Sequence, residues 1–127
     1  MPPAPEGVSV DENIKELRRI SEQNPEAALV YWLNNVRPYG PQDYKRQGQE
    51  FEPFGNFNYG ATGRALGIPG EVLLRGAGAV QVIKEGVTGQ PAGPGSPFGS
   101  APDGDYPRDQ LYIRQGIEYF NRNYYGR

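Results

Sequence analysis

Neither histidine nor cysteine occurs among the 127 residues, so imidazole acid-base chemistry, thiolate nucleophiles and the usual zinc ligand sets are excluded together. Proton transfer must fall to carboxylates, lysine, arginine, tyrosine, hydroxyls or amides, and no metal or other cofactor is expected. Two places gather such groups. Asp43 and Lys45 flank Tyr44 in a Pro/Gly-rich turn, a base and a charge stabiliser side by side. Asp105 and Asp109 lie around the start of the last helical pattern, where the helix dipole favours an acid or an anionic ligand. Between these places, Phe54-Gly55-Asn56-Phe57-Asn58-Tyr59-Gly60-Ala61-Thr62-Gly63 mixes glycine, amide and aromatic residues where a core segment would carry aliphatics. Glycines permit close backbone approach, amides donate and accept, and aromatics offer flat faces, which are the ingredients of a ligand-facing loop. Amides do not titrate, so Asn56, Asn58 and Tyr59 are expected to bind and orient a ligand while carboxylates do the chemistry.

Such a set suits two kinds of bond cleavage. Breaking an RNA strand needs one group to take the 2′-hydroxyl proton, another to protonate the leaving oxygen, and cations for the phosphorane charge. Arg75, Arg108 and Arg114 are available for that cationic patch. Breaking a glycosidic bond needs two carboxylates, here drawn from Asp43, Glu50, Glu52, Asp105 and Asp109, and tyrosine-rich grooves stack sugars. Each residue also has a plainer reading: Asp105 as a helix cap, Asp109 as a first-turn acid, Asp43 and Lys45 as a solvated pair, and Asn56 and Asn58 as amides that satisfy a turn. A non-enzymatic alternative makes Tyr119-Phe120-Asn121-Arg122-Asn123-Tyr124-Tyr125 a protein-binding surface. Its plain counterpart buries Phe120 and Tyr124.

The elements that must position these groups are mainly α-helical. Ser9 with Glu12 matches a capping box, and Ile14, Leu17 and Ile20 then form a narrow apolar stripe through a helix ending near Asn24. Asn24-Pro25-Glu26 restarts the chain with a cap, a proline suited to the first helical position and an acid at the positive end of the dipole. Leu29, Trp32, Leu33 and Val36 follow at the spacing of a buried face until Pro38 stops the helix, and Trp32 reads as a core anchor. From Pro69, residues 71–83 read as a helix whose Gly76 and Gly78 imply close packing of another backbone. A last helix follows Pro107, with Ile113, Ile117, Phe120 and Tyr124 on its buried side. The strand preference of Phe51, Phe57 and Tyr59 leaves open a short β-hairpin between Gln47 and Tyr59.

The expected fold is therefore one compact, mainly α domain of about four helices with long Gly/Pro-rich loops. Residues 1–8 read as a linker-like tail, residues 9–127 as the domain, and residues 88–104 as a long loop. The Pro-rich opening lacks the basic flank and apolar run of a signal peptide and resembles a linker to an upstream region. No later stretch is apolar for long enough to span a membrane. A net charge of −2 leaves no overall attraction for polyphosphates, so a nucleic acid would need a local basic patch.

The order Val36-Arg37-Pro38-Tyr39-Gly40-Pro41-Gln42-Asp43-Tyr44-Lys45, followed by the run from Phe54 to Gly63, resembles the polymorphic toxin type 44 domain of bacterial secreted and contact-dependent toxins. Gly67-Ile68-Pro69, Leu73-Leu74-Arg75-Gly76-Ala77-Gly78, Gln81, and Gly104-Asp105-Tyr106-Pro107-Arg108-Asp109-Gln110 continue the resemblance over roughly residues 26–125. It implies a toxic C-terminal portion of a larger effector, delivered into a target cell and neutralised in the producer by a cognate immunity protein. It further implies a ribonuclease acting on RNA in the cytoplasm, while the carboxylates themselves leave peptidoglycan hydrolysis in the periplasm as the alternative. On that reading Asp43, Lys45, Asp105 and Asp109 are catalytic, and Asn56, Asn58, Tyr59, Arg75, Gln81 and Gln110 hold substrate.

Overall fold

The computed structural model describes residues 1–75 and 107–125. Within them the chain forms α1 (Val10–Gln23), α2 (Pro25–Val36), two 3₁₀ turns (Tyr44–Gln47 and Gln49–Phe51), α3 (Glu52–Ala65), the short α4 (Gly70–Leu73) and α5 (Pro107–Asn123). No strand occurs among the described residues. The mainly helical expectation holds.

Local chemistry explains most of the helix boundaries. The Ser9 hydroxyl caps α1 by accepting from the Glu12 amide at 3.3 Å. Asn24 ends one helix and starts the next. Its N–H donates to the Ile20 carbonyl, its side chain accepts from the Ala27 amide at 3.1 Å, and Pro25 takes the first helical position of α2. The Arg37 amide closes α2 on Leu33, and Pro38 then prevents continuation.

The segment read as a loop or hairpin departs from expectation. Residues 52–65 are helical, and Phe54, Phe57, Asn58, Tyr59, Gly60, Ala61, Thr62 and Gly63 are all buried. Pro53 follows the helix start, where its missing N–H costs nothing. Poor helix propensity at the glycines is overridden by tertiary packing. A Cβ on Gly60 would stand 2.2 Å from the Ile113 carbonyl oxygen, and one on Gly116 would stand 2.0 Å from that of Phe57. The backbones of α3 and α5 thus touch where neither has a side chain. Close approach through glycine, expected at Gly76 and Gly78, falls outside the described residues there and is realised at Gly60 and Gly116 instead. Of the helix expected over 71–83, α4 covers Gly70–Leu73 and the part beyond residue 75 lies outside the described residues.

Two apolar clusters lie on either side of that contact. Leu17, Trp32, Val36, Tyr59, Leu73, Ile113 and Ile117 form one, in which the Trp32 and Tyr59 rings stack at 5.5 Å. Val10, Ile14, Tyr44, Phe54, Phe57, Ala61 and Phe120 form the other, and Ala4 and Val8 ahead of α1 pack against it. Trp32 is the core anchor that its spacing implies.

The glycine contact gives a sharp stability test. Gly60→Ala and Gly116→Ala should each destabilise the domain by about 2 kcal/mol or more, since a methyl there displaces backbone rather than a side-chain end. Gly55→Ala, whose added Cβ would meet nothing nearer than 3.9 Å, should stabilise α3 by about 0.5–1 kcal/mol. Urea unfolding of the three variants checks both signs.

Candidate active site

Glu52 opens α3 and Asn56 follows one turn later on the same face, while Asp109 sits in the first turn of α5. The glycine contact brings these faces together. The Asn56 amide donates to an Asp109 carboxylate oxygen at 3.0 Å, and the Glu52 carboxyl lies close enough to feel the Asp109 charge. Arg108 reaches Glu52 at 3.8 Å from an exposed position. Burial first, then the Asp109 charge and the hydrogen bond to it, push the Glu52 carboxyl above its ordinary value, while the charges of Arg108 and Lys45 pull it partly back. Two half-buried carboxyl groups thus stand together beside two cations.

The sequence candidates distribute unevenly around this pair. Lys45, exposed on the first 3₁₀ turn, acts on Glu52 through its charge, and Asp109 is a member of the pair. Asn56 orients Asp109. Asp43 is turned the other way, its carboxylate accepting from the Tyr39 amide at 2.9 Å and closing the loop after α2. Gln110 donates to the Leu74 carbonyl at 3.1 Å and ties α5 to the end of α4, and Arg75 is exposed beside it in the chain. Asp105 and Gln81 lie outside the described residues, as does the 88–104 loop.

Asn58 and Tyr59 are core groups in this conformation. Asn58 is fully buried, accepting from Asn13 at 2.9 Å and donating to Gln42 at 2.8 Å, while Asn13 also donates to the Tyr44 hydroxyl. The Tyr59 hydroxyl donates to the Leu73 carbonyl. Trp32 donates to the Thr62 hydroxyl at 2.9 Å, which in turn donates to the Asn58 carbonyl at 2.6 Å. These bonds join α1, α2, α3 and the loop bearing Gln42 through one buried polar network.

A second carboxylate cluster sits at the far end of α5. Asp11 accepts from the Tyr119 hydroxyl at 2.7 Å and from the Tyr124 hydroxyl, and the Arg18 guanidinium lies 5.6 Å from the Tyr124 ring centre. Burial and then the Asp11 carboxylate push the Tyr119 hydroxyl up to about 12 and raise Tyr124 as well. Both phenols stay protonated at neutral pH and clamp α5 to α1. In the Tyr-rich terminal segment Phe120 is buried, Tyr124 half-buried and Tyr125 exposed.

Glu52 stood in the sequence only among five interchangeable acids. The signal that singles it out is Pro53, which marks position 52 as a helix start and so places Glu52 and Asn56 on one face.

The molecule is thus a helical domain with two carboxyl groups brought together at two helix starts, built without histidine, cysteine or, among the described residues, any group of three or more acids able to hold a metal. The family model for bacterial toxin 44 matches residues 16–122, and the chain belongs to that family of bacterial toxin domains. Among the curated proteins and the solved structures, none matches it. No described helix is long and apolar enough to cross a membrane.

The raised Glu52 carboxyl has a measurable consequence for stability. Because the folded state holds the Glu52 proton more tightly than the ordinary value of 4.5, its support for folding is full below that value and is lost as pH rises through the elevated one. Glu52→Gln should therefore match the parent protein in acid and exceed it in stability at pH 7. Urea midpoints that differ by the same amount at pH 4 and pH 7 would contradict a raised Glu52 carboxyl.

Proposed function

We propose that the domain is a ribonuclease toxin in which Glu52 and Asp109 exchange the protons of strand cleavage. The observation that carries this reading is the meeting of Glu52 and Asp109 at the starts of α3 and α5, with Asn56 on Asp109 and Arg108 on Glu52. In RNA transphosphorylation the Asp109 carboxylate takes the 2′-hydroxyl proton as that oxygen attacks phosphorus. The bond to the 5′-oxygen breaks, and Glu52 in its protonated form delivers a proton to it, leaving a 2′,3′-cyclic phosphate and a 5′-hydroxyl. The proton taken up by Asp109 then passes to Glu52 and resets the site. Arg108 and Lys45 stabilise the phosphorane charge. Asn56 holds Asp109 in register.

Glycan hydrolysis is supported less well. Its two carboxyl groups bracket the glycosidic bond at about 5–5.5 Å, or at about 6.5–9.5 Å when a water must fit between. Glu52 and Asp109 instead stand as close neighbours, with the Asp109 charge raising the Glu52 carboxyl. The domain is delivered by an upstream carrier into the cytoplasm of a competitor, and a cognate immunity protein protects the producer by covering the α3–α5 face that bears the pair.

Expression of the domain in the cytoplasm, and separately in the periplasm, of a susceptible cell tests this reading, with RNA and cell wall examined in both. Cytoplasmic RNA should be degraded. Glu52→Gln and Asp109→Asn should each lower cleavage by about 10²- to 10⁴-fold while leaving the circular dichroism spectrum unchanged. Intact RNA, with lysis confined to periplasmic expression, would assign the domain to the cell wall.

A further inference from the structure

Tyr39 is the one described non-glycine residue with positive φ, at 67°, and its side chain is 77% exposed. A bulky residue in the left-handed region is strained, and an exposed ring gains too little from burial to offset that. The surroundings nevertheless enforce the conformation. Asp43 accepts from the Tyr39 amide, Gly40 and Gln42 donate to the Arg37 and Asn35 carbonyls, and Gly40 is pressed so tightly on the end of α2 that a Cβ would stand 2.6 Å from the Asn34 and Asn35 oxygens. Arg46 then lays its guanidinium 4.0 Å from the Tyr39 ring centre.

We infer that Tyr39, backed by Arg46, is a stacking platform for a nucleobase of single-stranded RNA, a reading that deepens the ribonuclease proposal and rests on it for the nature of the strand. One ring face carries the guanidinium, and the exposed ring offers its remaining surface to a flat partner. Stacking on an aromatic ring beside a cation is how unpaired bases are held without a sequence code. The position suits such a role. Arg46 follows Lys45 on the same 3₁₀ turn, so the turn that directs one cation's charge at Glu52 directs the next against Tyr39. Lys45 and Arg46 on this turn and Arg108 at Glu52 are all exposed, cations on a chain of net charge −2, with Glu50 as the exposed acid near the turn in the chain.

The test uses a fluorescein-labelled, fully 2′-O-methylated single-stranded RNA decamer, which cannot be cleaved, and measures its binding by anisotropy. Tyr39→Gly keeps the positive φ and removes the ring, so the turn survives while affinity should fall about tenfold. Tyr39→Phe should bind within about twofold of the parent, since stacking needs the ring and not the hydroxyl. Affinity unchanged in Tyr39→Gly, or no binding by the parent protein, overturns the platform. A Tyr39→Gly change that weakens only the immunity protein's binding overturns it in favour of a protein contact. If the decamer binds through Tyr39 while natural RNA stays uncut, the platform stands and the ribonuclease reading fails.

Discussion

The contact between the backbones of α3 and α5 at Gly60 and Gly116 is the constraint on which the rest of the molecule depends. With Cβ positions 2.2 and 2.0 Å from opposing carbonyl oxygens, no other residue type fits either place. That approach determines how far apart every other pair of groups on the two helices can be. Asn56 meets Asp109, the Phe57 and Tyr119 rings pack with centres 5.4 Å apart, and Gly70 at the start of α4 admits the Ile117 side chain. A methyl's worth of separation would open the apolar clusters on both sides and part the carboxyl pair. Stability and the geometry of the candidate site therefore rest on the same two glycines.

Polar groups in the core complete the scaffold. Asn58 is wholly buried, and an unpaired amide there would cost about 1–3 kcal/mol. Its partners come from α1 and from the loop after α2, so satisfying it fixes both against α3. The loop held through Gln42 leads directly into the 3₁₀ turn that carries Lys45 and Arg46. Residues that resemble ligand-binding amides thus serve to position the cations, while Asn56, two residues earlier and half-buried, faces the carboxyl pair.

Caps and apolar stripes made three of the helices legible in the sequence. Ser9, Asn24 and Pro25 mark α1 and α2, and Ile113, Ile117 and Phe120 mark the inner side of α5, because these signals are local. Residues 54–63 were illegible as a helix for a physical reason. Their glycines are poor helix formers when taken alone, and the need for them arises from α5, more than fifty residues away in sequence. Loss of the helical reading also hid the site, since Glu52 and Asn56 share a face only if the segment is helical. Asp109 and Lys45 were named as candidates from residue type, and the fold sets both near Glu52, whereas Asp43 is engaged by the loop after α2. Its bond to the Tyr39 amide follows from a left-handed turn that no sequence period announces.

The pairing of Glu52 with Asp109 resolves a conflict that the fold itself creates. Each acid occupies the first turn of its helix, where the dipole and unbonded N–H groups favour negative charge. Packing the two helices through glycine brings both negative charges into one half-buried place, where they repel and lose water. Arg108 and Lys45 offset part of that repulsion, and the Glu52 carboxyl stays raised above its ordinary value. In the proposed reaction the raised carboxyl serves as the acid and its neighbour as the base. In a chain without histidine, two acids pressed together are the groups from which such a pair can be drawn.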